Sequence, residues 1–442
     1  MADYFSFARP KSSSPLARLA PITIPSGAST PASCYSEAND SDFSNVSTPT
    51  TELTESEIFL HSDASTEDQY VLVVGGLGYI GSHTAWELLK AGRNVIIVDN
   101  LSNSYKDVLE RLHSLVEKEY EGRCKVPQLD FYEADYRKKA TMKTILERYD
   151  SMYTLSSTIT SVIHFAAYKA VEESIHEPLK YYSNNVAGLI DFCTLLDQFS
   201  IKTLVFSSSA TVYGELANRG GRLREELTSH STTQWTDASG AAQTTLSGCT
   251  GLTNPYGRTK WMSEAILSDL AASDPEWKIY ALRYFNPVGC DSSGVLGEDP
   301  RGTPNNLMPL VIRVMEGKMN ELSVFGSDWD TEDGTAIRDF IHVSDLARGH
   351  VAAIATGLSA KSAPGFHSIN LGTGNGSSVK EVVDTMRAVS GKEIKTKASD
   401  RREGDVGVCI ADPDKAAQML GWKPVKTLED SCRDICNYLS AH

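Results

Sequence analysis

The sequence predicts an α/β fold, a Rossmann-type doubly wound parallel sheet followed by a smaller mixed α/β lobe, and three observations predict it. From residue 69 onward, short β-branched runs alternate with helical patterns at the spacing of βαβ units. The first run, from Tyr70, feeds a glycine turn (Gly75, Gly76, Gly78, Gly81) that opens a helical pattern. The second run, Asn94 onward, ends on the acid Asp99.

Each element has its own warrant. Strands are predicted over 70–75, 94–99, about 126–134, 161–166, 203–208 and 278–285, where apolar and β-branched residues cluster between turn formers. Helices are predicted over 79–91, 104–119, 138–149, 179–199 and 256–272, where apolar residues recur at helical spacing. The stretch 215–253 interrupts the alternation. From His230 to Gly251 it is nearly all small and polar, which reads as a long surface insertion. A doubly wound domain is therefore expected over 69–286 and a smaller, mainly substrate-holding lobe over 287–442.

Residues 1–68 differ from the rest. They are rich in Ser, Thr, Pro and Ala, with ten acids against three bases. Such a segment cannot bury enough apolar surface to offset chain entropy, so a disordered tail is expected. It has neither the apolar core of a signal peptide nor the basic character of a transit peptide.

Composition excludes several classes of function. The 442 residues are 41% hydrophobic and 22% charged, as in globular enzymes, and the net charge of −15 argues against nucleic acid or an anionic membrane as partner. No apolar run approaches the ~20 residues of a membrane span. The eight cysteines form no CxxC and the ten histidines no HExxH, so neither a metal site nor a disulfide framework is expected. A reduced, cytoplasmic protein is the expectation.

Two features carry the chemistry. The glycine turn allows close backbone approach to a pyrophosphate, and the helix start after it offers free N–H groups and a positive dipole end. Asp99 then stands where a carboxylate accepts from both hydroxyls of an adenosine ribose, and it would repel a 2′-phosphate, which predicts NAD. Tyr256 and Lys260 lie one helical turn apart and share a face. A phenol titrates near ~10, too high for a base at neutral pH, and a fixed cation beside it favours the phenolate. Lys260, with a second cation such as an oxidised nicotinamide ring, is expected to lower Tyr256 into the working range.

Longer runs carry a resemblance. Tyr-x-x-x-Lys with the amino-terminal glycine turn is similar to the extended short-chain dehydrogenase/reductase superfamily. Within it, Val205–Gly214 (VFSSSATVYG), Leu282–Gly289 (LRYFNPVG), His164–Val171 (HFAAYKAV), Pro304–Pro309 (PNNLMP), the run from Arg338 (RDFIHV) and Arg401–Asp405 (RREGD) resemble the UDP-glucose (UDP-galactose) 4-epimerases. The resemblance covers about 70–440, outside the tail and the insertion. It implies an isomerase of nucleotide sugars with Ser209, Tyr256 and Lys260 as catalytic set and NAD retained through turnover. It further implies cofactor contacts at Gly75, Gly78, Tyr79, Ile80, Gly81, Asp99, Asn100, Asn103, Asp135, Tyr136, Phe165, Ala166, Lys169, Asn184 and Phe285. The UDP-sugar would meet Lys169, Asn286, Asn306, Leu307, Arg338, Arg402 and Asp405, with Cys409 at the edge of the sugar pocket where some relatives carry tyrosine. That smaller side chain leaves room for a 2-acetamido group. A homodimer through the helical patterns 179–199 and 256–272 is also implied. A 4,6-dehydratase would share the fold, but it needs a carboxylate beside Thr211, where this chain has Ala210 and Val212. A non-catalytic NAD sensor would not need both Tyr256 and Lys260.

Overall fold

Alternate residues of the first strand enter two different hydrophobic layers, and the whole fold follows from that. The computed structural model describes residues 69–150, 157–237, 239–302, 304, 306–402 and 405–442. The tail expected over 1–68 lies outside the described residues. Strand β1 (Tyr70–Val74) sends Val71 and Val73 to one face and Leu72 and Val74 to the other, all buried. It pairs in parallel with β2 (Asn94–Asp99) on one side and β4 (Ile159–His164) on the other. Further out lie β3 (Leu129–Glu133), β5 (Thr203–Ser209), β6 (Lys278–Tyr284) and β7 (Gly365–Leu371), giving the order β7-β6-β5-β4-β1-β2-β3, all parallel. Strands buried on both faces read as continuous apolar runs, which is why each was legible in the sequence.

Helices cover both faces. Helices α1 (Tyr79–Lys90), α2 (Asp107–Glu119) and α6 (Val343–Leu358) pack on the Val71 side through Leu88, Leu112 and Leu346. Helices α3 (Lys139–Glu147), α4 (Gly188–Gln198) and α5 (Pro255–Ser273) pack on the Leu72 side through Ile145, Phe192 and Leu267. Order reverses between β1 and β4, so the carboxyl ends of these strands open the crevice in which such sheets bind ligands.

Three expectations need adjustment. The single helix expected over 179–199 is broken by a π-helical turn, Tyr182–Ala187, which carries Asn184 and Asn185 inward. The insertion is only partly a surface feature. It forms an antiparallel hairpin, Thr233–Thr236 with Ala242–Thr245, but Leu223, Glu225 and Thr228 before it are buried. Residues 343–371, placed with the smaller lobe, return to the large sheet as α6 and β7. The described residues belong to one compact unit.

Candidate active site

The glycine turn is shaped by contacts that leave no room for side chains. Gly75 has φ +80°, and a Cβ on Gly81 would stand 2.2 Å from the Gly75 carbonyl oxygen. No side chain caps the start of α1 and no acid stands in its first turn, so its N–H groups remain available to an anion. Asp99 fixes this turn from below, accepting from Leu77 N at 3.0 Å, Leu101 N at 2.9 Å and Ser104 Oγ at 2.9 Å. Three acceptances leave lone-pair capacity on the carboxylate, which borders the same cavity.

That cavity holds about 620 Å³. Its wall includes Gly75, Gly78, Tyr79, Ile80, Gly81, Asp99, Asn100, Asn103, Tyr136, Phe165, Ala166, Lys169, Asn184, Tyr256, Lys260 and Asn306. Residues far apart in sequence are thus brought to one space, and the uncapped helix start, the ribose-directed acid and the volume together fit a dinucleotide such as NAD. Tyr136 is buried, and its hydroxyl donates to the Asn184 carbonyl at 2.5 Å, which holds the π-helical turn against β4. Two expected cofactor residues are not on this wall. Asp135 is engaged by Arg137 through hydrogen bonds of 2.7 to 3.2 Å, which keep its carboxyl low. Phe285 packs instead with Val212, Tyr213, Leu223 and Ala411, while its neighbour Tyr284 lines the cavity.

The catalytic candidates sit where β5 ends and α5 begins. Asn254 caps α5, its side chain accepting from Gly257 N at 2.8 Å, and Pro255 occupies the first turn. This puts Tyr256 and Lys260 on the buried inner face, 8% and 2% exposed. Burial pushes the Tyr256 phenol up to about 12, and the Ser209 hydroxyl, its hydrogen-bond partner, opposes the rise. Burial also drives Lys260 down to about 7, with Glu264 acting the other way. The Lys260 ammonium donates to the Ser207 carbonyl and lies 4.8 Å from the centre of the Phe206 ring. The sequence predicted that Lys260 and a second cation such as an oxidised nicotinamide would together lower Tyr256. In the chain alone burial dominates both groups, so the phenolate depends on positive charge brought into the cavity.

The substrate-side candidates meet on a small three-stranded sheet. Ile337–Arg338 runs parallel to Val408–Cys409, with Arg338 opposite Cys409, and antiparallel to Ser377–Ser378. Asp405 joins the two expected arginines, 3.4 Å from Arg338 and 3.3 Å from Arg402. Asn286 is exposed and its N–H donates to the Asp339 carbonyl at 3.0 Å. Asn306 donates to Glu298 at 3.2 Å, and Glu298 lies 3.9 Å from Lys169. Leu307 opens the helix Leu307–Met315. Burial raises the Cys409 thiol to about 11.

Sequence reasoning missed several carboxylates near the site, among them the fully buried Asp339 and Glu264 and the partly buried Glu298. Asp339 receives the N–H groups of Thr373, Gly374 and Ala411 and ties the small sheet to the loop after β7. Glu298 faces the cavity, its carboxyl raised by burial. Glu264 pairs with Arg283. Among the described residues no cluster of His, Cys, Asp or Glu is arranged to hold a metal.

Comparison with known proteins agrees with this geometry. The family model for the NAD dependent epimerase/dehydratase family matches residues 71–372. A UDP-glucose 4-epimerase of Bacillus subtilis is 45% identical over 372 residues, covering 84% of this chain and 97% of that protein. A human UDP-glucose 4-epimerase is 42% identical, covering 83% and 94%. Among solved structures, the Bifidobacterium longum UDP-glucose 4-epimerase in complex with NAD+ and UDP has a TM-score of 0.72 at 39% identity, covering 84% of this chain and 98% of that one. The UDP-Glc/GlcNAc 4-epimerase of Campylobacter jejuni has a TM-score of 0.64 at 32% identity, covering 85% and 100%.

Proposed function

The chain belongs to the NAD dependent epimerase/dehydratase family, and from that premise we propose that it interconverts UDP-glucose and UDP-galactose by inverting C4 of the sugar. One observation carries the reading. Tyr256 and Lys260 face the same 620 Å³ cavity as the glycine turn and Asp99, with Ser209 bonded to the phenol. NAD held in this cavity would supply the acceptor and donor of the C4 hydride and would be unchanged over a turnover.

The chain's own residues do the rest. Ser209 holds the sugar O4 and passes its proton to Tyr256, which returns it when the opposite epimer forms. Lys260 supplies fixed positive charge beside the phenol and a donor for the nicotinamide ribose. Arg338 and Arg402, held in register by Asp405, are planar always-charged forks suited to the diphosphate. The other sequence-assigned residues on the cavity wall are proposed as cofactor contacts, Asp135 and Phe285 excepted, and Asn286, Asn306 and Leu307 as contacts of UDP. Purified protein supplied with UDP-galactose should form UDP-glucose without net NADH, and NAD should be recovered from the denatured enzyme. Stoichiometric NADH formation would make it a dehydrogenase instead.

The reading extends to the N-acetylated pair, UDP-N-acetylglucosamine and UDP-N-acetylgalactosamine. Cys409 pairs with Arg338 on the small sheet, which supports the reading that its small side chain lies at the edge of the sugar pocket. The similarity to an enzyme named for both UDP-Glc and GlcNAc supports it. Cys409→Tyr should then abolish turnover of the N-acetylated sugars and largely spare the plain ones, because a phenol in a packed pocket creates a clash that cannot relax cheaply. Equal losses of kcat/KM for both pairs would mean general damage.

We also assign a homodimer. Leu189, Phe192, Leu195 and Leu196 bury on the sheet, while Leu179, Ile190 and Met262 stay 80%, 45% and 40% exposed. The π-helical turn before α4 packs on α5, so these residues belong to neighbouring elements and form a leftover apolar face. Light scattering at micromolar protein should give twice the chain mass; a monomeric mass refutes the assignment. The seven described cysteines are unpaired, which supports the reducing cytoplasm as its setting. Among the described residues no helix is long and apolar enough to cross a membrane.

A further inference from the structure

One carboxylate beneath the catalytic pair has no part in the mechanism above, yet it is built into that site by three other side chains. Glu264 lies one helical turn beyond Lys260 on α5, so Tyr256, Lys260 and Glu264 form a single stripe. Its side chain is fully buried, as is that of Arg283 on β6. Arg283 donates to it through Nε at 3.0 Å and Nη2 at 2.6 Å. His230, from the insertion, places Nε2 2.9 Å from the second carboxylate oxygen and stacks at 4.7 Å on Trp261. Ser208 Oγ donates to the first oxygen.

Ser208 is the informative contact. It stands between Ser207, whose carbonyl receives the Lys260 ammonium, and Ser209, whose hydroxyl bonds Tyr256. Consecutive strand residues point to opposite faces, so Ser208 anchors the end of β5 from below while its neighbours serve the site above. We propose that Glu264 is a positioning residue of the reaction centre: clamped by Arg283 and His230, it fixes Ser208, and through it Ser207 and Ser209, and presents a permanent negative charge to Lys260.

Charge arithmetic supports the second role. Burial alone would raise the Glu264 carboxyl, but Arg283 and His230 hold it at about 2, so it is ionised throughout the working range. Lys260 is driven down to about 7 by burial, and Glu264 is the group that opposes this. The other groups close to Lys260 are the Ser207 carbonyl, the Phe206 ring and His164 on β4. His164 is held neutral by burial and by Lys260 itself, with its pKa near 3. None of these supplies negative charge at neutral pH. Without Glu264, Lys260 would lose its proton earlier, and the charge that favours the Tyr256 phenolate would go with it.

The inference rests on the epimerase reading, and its test separates the two. The variant is Glu264→Gln in the holoenzyme, with kcat/KM for UDP-galactose followed from pH 5 to 10. The alkaline limb should move to lower pH by roughly one unit, about a tenfold loss on that limb. KM should stay within about twofold, since no UDP-binding residue touches Glu264. Because the single change strands Arg283, the double variant Glu264→Gln/Arg283→Met is made alongside, and it should keep the displaced limb at higher stability. A displaced limb in either variant supports the proposal. Limbs that coincide with wild type in every variant that folds overturn it and leave a purely structural ion pair. A wild type inert toward UDP-galactose overturns the epimerase reading, and the inference with it.

Discussion

Replacing Tyr256 by Phe is expected to lower kcat by at least about 100-fold, the usual worth of a positioned general acid–base group, while NAD stays bound and the fold intact. Among the described residues Ser209 is the side chain that acts on the phenol, and its hydroxyl also receives Thr211 N at 3.3 Å. Losing it therefore strands little, and the cost in stability should stay near the ~1 kcal/mol of one neutral hydrogen bond. The effect on turnover is larger because the phenol takes the proton that Ser209 relays, and the groups nearest to it are poorly suited to replace it. Ser209 is too weak a base by itself, Lys260 is a cation in its useful form, and Glu298 is committed to Asn306 and Lys169. The pH behaviour gives a second check. With the phenol at about 12 and Lys260 at about 7 in the chain alone, activity must depend on cationic charge beside Tyr256. Wild-type turnover should thus fall in alkali as Lys260 loses its proton, and Tyr256→Phe should flatten the profile. Product formation from UDP-galactose, with NAD content measured after denaturation, decides the matter. Near-normal turnover with full NAD would remove Tyr256 from the proposed mechanism.

The parts of this site that were legible in sequence are those whose chemistry is local. The glycine turn must be glycine because Gly81 has no space for a Cβ, and Asp99 follows a strand whose end is fixed by its own apolar run. Tyr256 and Lys260 share a face through helix geometry alone, and Asn254-Pro255 marks where that helix starts. What sequence could not carry were partners set by tertiary approach. Glu264 and Arg283 are 19 residues apart and read singly as solvated charges, yet both are fully buried. The signal that could have found them is Glu264 itself, a charge at i+4 from Lys260 on a face already assigned to the interior. Phe285 illustrates a different limit: β6 ends at Tyr284, strand alternation stops there, and it is Tyr284 that faces the cavity. The π-helical turn had no periodic signature, and Asn185 looks like a surface residue until it meets Thr259 at 3.0 Å. The insertion was misread in part because His230 heads a polar stretch, although its own ring is held between Trp261 and Phe366.

Replacing Arg283 by Met should cost about 3–5 kcal/mol, the penalty for removing one member of a buried ion pair and leaving the other charge uncompensated. Arg283 is fully buried and its fork is almost fully committed. Besides Glu264 it donates to the Tyr213 hydroxyl at 3.3 Å and to the carbonyls of Glu225 at 3.3 Å and Thr228 at 3.2 Å. Those carbonyls begin the insertion, so the loss should loosen the loop that brings His230 to Glu264. The direction of the acid response follows from linkage. The Glu264 carboxyl is held at about 2 against an ordinary 4.5, so between these values the unfolded chain binds the proton more readily. Its stabilisation is complete above about pH 4.5 and is lost as pH falls toward 2. Arg283→Met should remove most of that dependence, because Arg283 is the largest influence opposing the rise that burial would cause. Urea unfolding at pH 7 and at pH 4 measures both effects. Adding Glu264→Gln should return at least half of the lost stability, since the stranded charge goes while an amide still meets Ser208 and His230. An Arg283→Met protein as stable as wild type at pH 7 would mean that water reaches Glu264. The carboxylate would then be solvated, with Arg283 free to leave it and Lys260 facing a screened charge.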